Sequence, residues 1–107
     1  MVIGLTGRNG SGKGEVANFL REAGFESHSL SDVIRDEIQK RGRKISRENL
    51  IETGTALREK EGLAVLAERT LAKLKPDRNY VIDSIRNPAE VRALRKSLVD
   101  FYLLNVT

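Results

Sequence analysis

Residues 7 to 14 read Gly7-Arg8-Asn9-Gly10-Ser11-Gly12-Lys13-Gly14, a glycine-rich run that follows an apolar stretch and ends in Gly-Lys-Gly. No other feature of the chain constrains its fold as tightly. Successive backbone N–H groups can point into one concavity and cradle a phosphate only where the main chain turns sharply with no Cβ in the way. Lys13 adds a compact positive charge for the β and γ phosphates, and the first turn of a following helix adds unpaired N–H groups and the positive end of its dipole. Such a loop requires a strand before it and a helix after it. Val2-Ile3-Gly4-Leu5-Thr6 is an apolar run of the kind that forms a parallel strand buried on both faces. Val16, Ala17, Leu20 and Ala23 recur at helical spacing, with a stop at Gly24. The loop departs from the full phosphate-binding motif at one position. The Ser or Thr whose hydroxyl would sit on Mg²⁺ is Gly14, and Glu15 next to it offers the metal a carboxylate instead.

The remaining elements alternate. Phe25 to Leu30 reads as a second strand, polar enough at Glu26, Ser27, His28 and Ser29 to lie at a sheet edge. His28 reads as a strand residue, with no second His or any Cys to build a metal site. Ser31 is positioned to cap a helix through Val33, Ile34 and Ile38 to Gly42, with Asp32 in its first turn. A basic connector, Lys40-Arg41-Gly42-Arg43-Lys44, follows. Ser46 to about Lys75 carries two helical stripes with a break near Gly62. Pro76-Asp77 marks a loop before a third strand, Tyr80 to Ile85, and Asn87-Pro88-Ala89-Glu90 opens another helix with a capping box. Phe101 to Val106 is a fourth strand, apolar enough to read as buried on both faces. Strands separated by helices pair in parallel through right-handed crossovers, so the fold class is α/β, a three-layer α/β/α sandwich.

Composition narrows the function classes. A chain of 107 residues makes one domain with a single core, and no stretch approaches the roughly 20 apolar residues of a membrane span. With no cysteine, disulfides and thiolate metal sites are excluded, which favours a cytoplasmic setting; Met1 leads straight into the first strand, so no signal peptide is expected. The net charge of +4 suits a polyanionic ligand. A nucleic-acid partner would match the charge too. No aromatic stacking platform supports that reading, because Phe19, Phe25, Phe101, Tyr80 and Tyr102 are mostly placed for core packing.

In open parallel sheets ligands bind beyond the carboxyl ends of the strands. Here those ends carry Thr6 with the loop, Leu30 with Ser31 and Asp32, and Asp83 with Arg86. A carboxylate near the end of a buried strand is costly unless paired or near a metal, and a phosphate-loop protein needs an acidic residue to serve Mg²⁺. The plainer reading of Asp83 is a helix cap or a salt bridge to Arg86. Arg86 itself suits bidentate phosphate binding from its place after the strand. Arg35, one turn into the Ser31 helix, would by itself be an ordinary solvated arginine.

These residues together resemble the P-loop nucleoside monophosphate kinases of the adenylate kinase type and their relative dephospho-CoA kinase. Ile3-Gly4-Leu5-Thr6-Gly7 with Gly10-Ser11-Gly12-Lys13 is similar to the opening of dephospho-CoA kinase, and Lys13-Gly14 is similar to the adenylate kinase Gly-Lys-Gly-Thr, with Glu15 for the threonine. Ser31-Asp32-Val33-Ile34-Arg35 resembles the segment that begins the monophosphate site, and Asp83-Ser84-Ile85-Arg86 resembles Asp-Gly-Phe-Pro-Arg without its glycine and proline. The resemblance implies the P-loop NTPase fold with strand order 2-3-1-4, a core of residues 1–30 and 76–107, and a helical acceptor-binding insertion at 31–75. It implies ATP and Mg²⁺ as cofactors, bound through Gly7, Arg8, Asn9, Gly10, Ser11, Gly12, Lys13, Gly14 and Glu15. Lys13, Arg86 and Asp83 would be catalytic, with Asp83 serving the metal, and Asp32, Arg35 and Arg86 would hold a small phosphorylated acceptor.

The family also carries a lid, a fifth strand and a last helix that these 107 residues do not contain. The chain is therefore expected to be the core of a longer kinase, weak or inactive alone, since lid closure completes the charge clamp. Its outer strand 101–106 is expected to self-associate. An alternative stays open: a nucleotide-binding sensor without turnover, motivated by Gly14 and Glu15. Similar P-loop halves are fused to zinc-dependent nucleotide deaminases, whose His/Cys signature is absent from this chain.

Overall fold

The structure, a computed structural model, describes residues 1–8 and 10–106. Along the chain run β1 (Val2–Gly7), α1 (Lys13–Glu22), β2 (Glu26–Ser29), α2 (Leu30–Lys40), α3 (Arg47–Glu61), α4 (Val65–Leu71), β3 (Tyr80–Asp83), α5 (Pro88–Ser97) and β4 (Phe101–Val106). The four strands form one parallel sheet in the order β2-β3-β1-β4, the order that the family resemblance implies. Helices cover both faces, the arrangement of a P-loop NTPase. One face carries α1 alone, over Leu5, Ala17 and Val81 with Ile3, Val16 and Leu20 beside them. The other carries α2, α4 and α5, which bury Leu30, Ile38, Leu66, Tyr80, Ile82 and Leu94 completely or nearly so. The strand period of two produces this division: Tyr80 and Ile82 point to one core and Val81 to the other.

Several boundaries differ from the sequence expectation, each for a local reason. Ser29, not Ser31, caps α2, because the Ser31 N–H donates to Ser29 Oγ at 3.3 Å; β2 therefore ends at Ser29, and Leu30 already belongs to the helix. The third strand stops at Asp83 rather than Ile85, since Ser84 turns into the left-handed region at φ 63°. The last helix of the middle region ends at Leu71, short of Lys75, whose N–H donates to the Tyr80 hydroxyl at 2.8 Å. The helix break at Gly62 (φ 104°) and the complete Asn87–Glu90 capping box stand as expected, and Ser46 caps α3 through the N–H of Asn49.

The fourth strand pairs with β1 along its whole length, from Val2↔Phe101 to Gly7↔Val106. Its apolar run, which reads as buried on both faces, is open: Tyr102, Leu103 and Leu104 are 55%, 37% and 45% exposed. The outer position in the sheet is the cause, with α1 lying over β1, β2 and β3 instead.

Candidate functional site

The phosphate-binding loop leaves β1 at Gly7 and enters α1 at Lys13. A side chain at Gly7 would run into the Val106 carbonyl oxygen, and its φ of 145° is one that residues with a Cβ rarely adopt. Gly12 (φ 93°) is the N-cap of α1 and offers no side chain to its first amides, which are left for a ligand. Around this turn Arg8, Gly10, Gly12, Lys13, Gly14 and Glu15 line a depression of about 370 Å³. Ser11 donates its N–H to the Arg8 carbonyl at 3.2 Å, while its Oγ is buried with no hydrogen-bond partner among the described residues. An open cradle at a helix N-terminus fits a bound phosphate chemically, while the Ser11 hydroxyl lies on the side of Gly7 and Val106. Asn9, expected to contribute, lies outside the described residues.

Lys13 and Asp83 meet across the sheet. Their ion pair is 3.2 Å long, with the lysine side chain 12% and the carboxylate 35% exposed. The pairing follows from topology, because β1 and β3 are neighbours and both end on the same rim. The alternative salt bridge from Asp83 to Arg86 is not made. Asp83 Oδ1 also accepts the N–H of Ser84 at 2.6 Å. No group of three or more His, Cys, Asp or Glu gathers as a metal site among the described residues. Both contacts of Asp83 fall on Oδ1, which leaves Oδ2 as the oxygen that could serve a phosphate-bound Mg²⁺, and the exposed Glu15 stands in the first turn of α1.

From Asp83 a line of hydroxyls crosses the rim toward α2. Ser29 Oγ donates to Ser84 Oγ at 2.8 Å and lies 2.7 Å from Ser31 Oγ, which accepts from Arg35 Nη1 at 3.1 Å. Arg35 also donates to Asp32 Oδ1 at 3.1 Å. The structure thus joins Lys13, Asp83, Asp32 and Arg35 through Ser29, Ser31 and Ser84. Arg86 stands apart from that line. Its side chain is exposed over a groove of about 480 Å³ that also includes Thr6, Ile85, Arg92 and Arg95. Its backbone is fixed from below: Glu90, fully buried, accepts the N–H groups of Arg86 and Asn87 on Oε1 at 2.7 and 3.2 Å. Asn87 Nδ2 adds a bond to the Leu63 carbonyl at 3.1 Å.

Sequence reasoning did not find Ser29 and Ser84. The pair Ser29-Leu30-Ser31 signals a cap without saying which serine serves, and the one hint for Ser84 is that a serine replaces a glycine at that place in the resembling motif.

A family model described as an AAA domain matches residues 6–102. A UPF0200 protein of Methanothermobacter thermautotrophicus is 37% identical over 108 residues, spanning 99% of this chain and 54% of the relative. A UPF0200 protein of Pyrococcus horikoshii, PH1008, is 39% identical over 100 residues, 90% of this chain and 54% of the relative. In Archaeoglobus fulgidus a UPF0200/UPF0201 protein is 37% identical over 107 residues, 96% of this chain and 33% of the relative. The chain spans about half the length, or less, of these curated relatives.

Proposed function

Because the chain belongs to the AAA domain family, we propose that it binds ATP at the Gly7–Gly14 loop as the core of a phosphotransferase, moving the γ-phosphoryl to a nucleoside monophosphate or similar phosphorylated small molecule. The observation that carries this reading is the Lys13–Asp83 pair beside an open loop, continued by hydrogen bonds to Arg35. Phosphoryl transfer asks little covalent chemistry of a protein; it requires in-line positioning and stabilisation of charge on the transferring oxygens. Lys13 leaves Asp83 to hold the β and γ phosphates, and the loop amides orient them. Arg35 and Arg86 hold the acceptor phosphate, with Asp32 keeping the Arg35 guanidinium in place. Residues 31–75 form the acceptor-binding insertion on a core of 1–30 and 76–107. Mg²⁺, when bound, would supply charge neutralisation at the phosphates, and Asp83 would be the residue that serves it.

Gly14 supports a second reading, a nucleotide sensor without turnover, since no hydroxyl follows Lys13 to hold the metal. Calorimetric titration with ATP and with each nucleoside monophosphate, in Mg²⁺ and then in EDTA, separates the two. Two coupled sites favour the kinase, whereas one ATP site without a second favours the sensor. With phosphate oxygens and water as its main ligands, removing the metal is expected to change ATP affinity by less than about tenfold, or 1.4 kcal/mol. A larger loss contradicts the metal assignment. The same proposal places the protein in the cytoplasm; among the described residues no helix is long and apolar enough to cross a membrane. It also takes the uncharged edge of β4 as a self-pairing surface.

A further inference from the structure

The hydroxyls on the rim have only one consistent arrangement of hydrogens. A hydroxyl has one hydrogen to give and two lone pairs to receive. Ser29 gives its hydrogen to Ser84 Oγ. It must therefore accept from Ser31 Oγ, 2.7 Å away, while its other lone pair takes the Ser31 N–H. Ser31 in turn accepts from Arg35, a group that can only donate. The chain runs from the Arg35 cation through Ser31 and Ser29 to Ser84, each donor polarising the next. Ser84 accepts at its end, and its own hydrogen has no acceptor among the described residues. A second observation concerns the same residue: Ser84 has a φ of 63°, among the described residues the one left-handed position not occupied by glycine. Strain of this kind persists at sites where the side chain is used.

We infer that the Ser84 hydroxyl donates a hydrogen bond to an anionic oxygen of the acceptor's phosphoryl group, between the loop and Arg35. The inference rests on the reading of Arg35 and Arg86 as acceptor-binding residues. It makes Ser84 a recognition residue. Ser84 follows Asp83, the partner of Lys13, and is joined to Arg35 through Ser29 and Ser31, so the oxygen that it meets belongs to a phosphate lying across the rim. Interrupting the relay at Ser29 leaves the donor in place but removes its polarisation.

Glycine adopts the Ser84 backbone conformation without strain, so Ser84→Gly deletes the hydroxyl while preserving the turn. Calorimetry with AMP, GMP, CMP, UMP and ATP reads the result. Ser84→Gly should weaken the bound monophosphate about tenfold or more, as for a hydrogen bond to a charged group. ATP affinity should stay within about twofold, and melting within about 5 °C. Ser29→Ala should weaken the monophosphate by less. A purely structural Ser84 would instead leave monophosphate affinity unchanged, and that result overturns the inference; so does a loss confined to ATP. Ser84→Ala supplies the same comparison should the glycine variant not fold. If Arg35→Ala and Arg86→Ala leave monophosphate affinity unchanged, or the wild type binds none of the four, the acceptor-site reading falls and the inference with it. If they weaken binding about tenfold while Ser84→Gly does not, the inference alone falls.

Discussion

Replacing Glu90 by alanine removes the acceptor that fixes the Arg86–Asn87 turn. Glu90 is 0% exposed, and its Oε1 takes two backbone N–H groups while Asn87 Oδ1 takes the N–H of Glu90 at 2.9 Å. Its Oε2 has no hydrogen-bond partner among the described residues and faces Arg58 Nη2 at 3.9 Å. Losing its half of the capping box costs about 1 kcal/mol. Leaving the Arg86 N–H without an acceptor costs about 1–3 kcal/mol more. Arg58 is 26% exposed and can turn toward water, so it adds less than the roughly 3–5 kcal/mol of a fully buried orphaned charge. The sum is about 3 kcal/mol of a total stability of order 5–15 kcal/mol. At about 4–8 °C per kcal/mol, Glu90→Ala should melt about 12–24 °C below wild type by circular dichroism at neutral pH. Glu90→Gln keeps an oxygen for the turn and should lose about 1 kcal/mol. An alanine variant within about 4 °C of wild type refutes the reasoning. A glutamine variant that falls as far as alanine would show that the charge facing Arg58, not the acceptor, matters.

Two further outcomes follow from the packing. Hydrogen bonding to Arg69, helped by Arg41 and opposed by burial, holds the Glu37 carboxyl below its ordinary 4.5. A carboxyl depressed by folding stabilises above its unfolded value, and that contribution is lost as pH falls through 4.5 and then through the lower folded value. The melting temperature of wild type should therefore decline more steeply below about pH 5 than that of Glu37→Gln, and parallel declines would contradict this. The uncharged edge Phe101-Tyr102-Leu103-Leu104-Asn105-Val106 should pair between copies as concentration rises, seen by light scattering, and Leu104→Lys should reduce the association. A wild type that stays monomeric at high concentration counts against edge pairing.

What could be read from the sequence was whatever a strict local rule governs. The loop needs its glycines and Lys13, the capping box needs Asn87 and Glu90 three apart, and Gly62 breaks a helix; each stands where the pattern places it. Asp83 could be recognised as unusual, being a carboxylate on a buried strand, yet its partner could not. Lys13 lies seventy residues away, and only the parallel pairing of β1 with β3 brings the two together. Ser84 was harder still. Apart from the glycine that the resembling motif has at this place, nothing in Asp83-Ser84-Ile85-Arg86 marks a left-handed serine, which stands between the end of β3 and the capped start of α5. The exposure of β4 is a matter of position in the sheet, which an apolar strand pattern does not encode.

The central claim is that this chain holds a nucleotide by its phosphates at the Gly7–Gly14 loop. Calorimetric titration of ATP into wild type and Lys13→Ala tests it most directly, because Lys13 is the loop's own cation and its one ion pair among the described residues is with Asp83. Losing a charge-assisted contact of this kind should weaken ATP binding at least about tenfold, with the variant otherwise folded. An unchanged dissociation constant in Lys13→Ala, or no binding of ATP to wild type, would contradict the account.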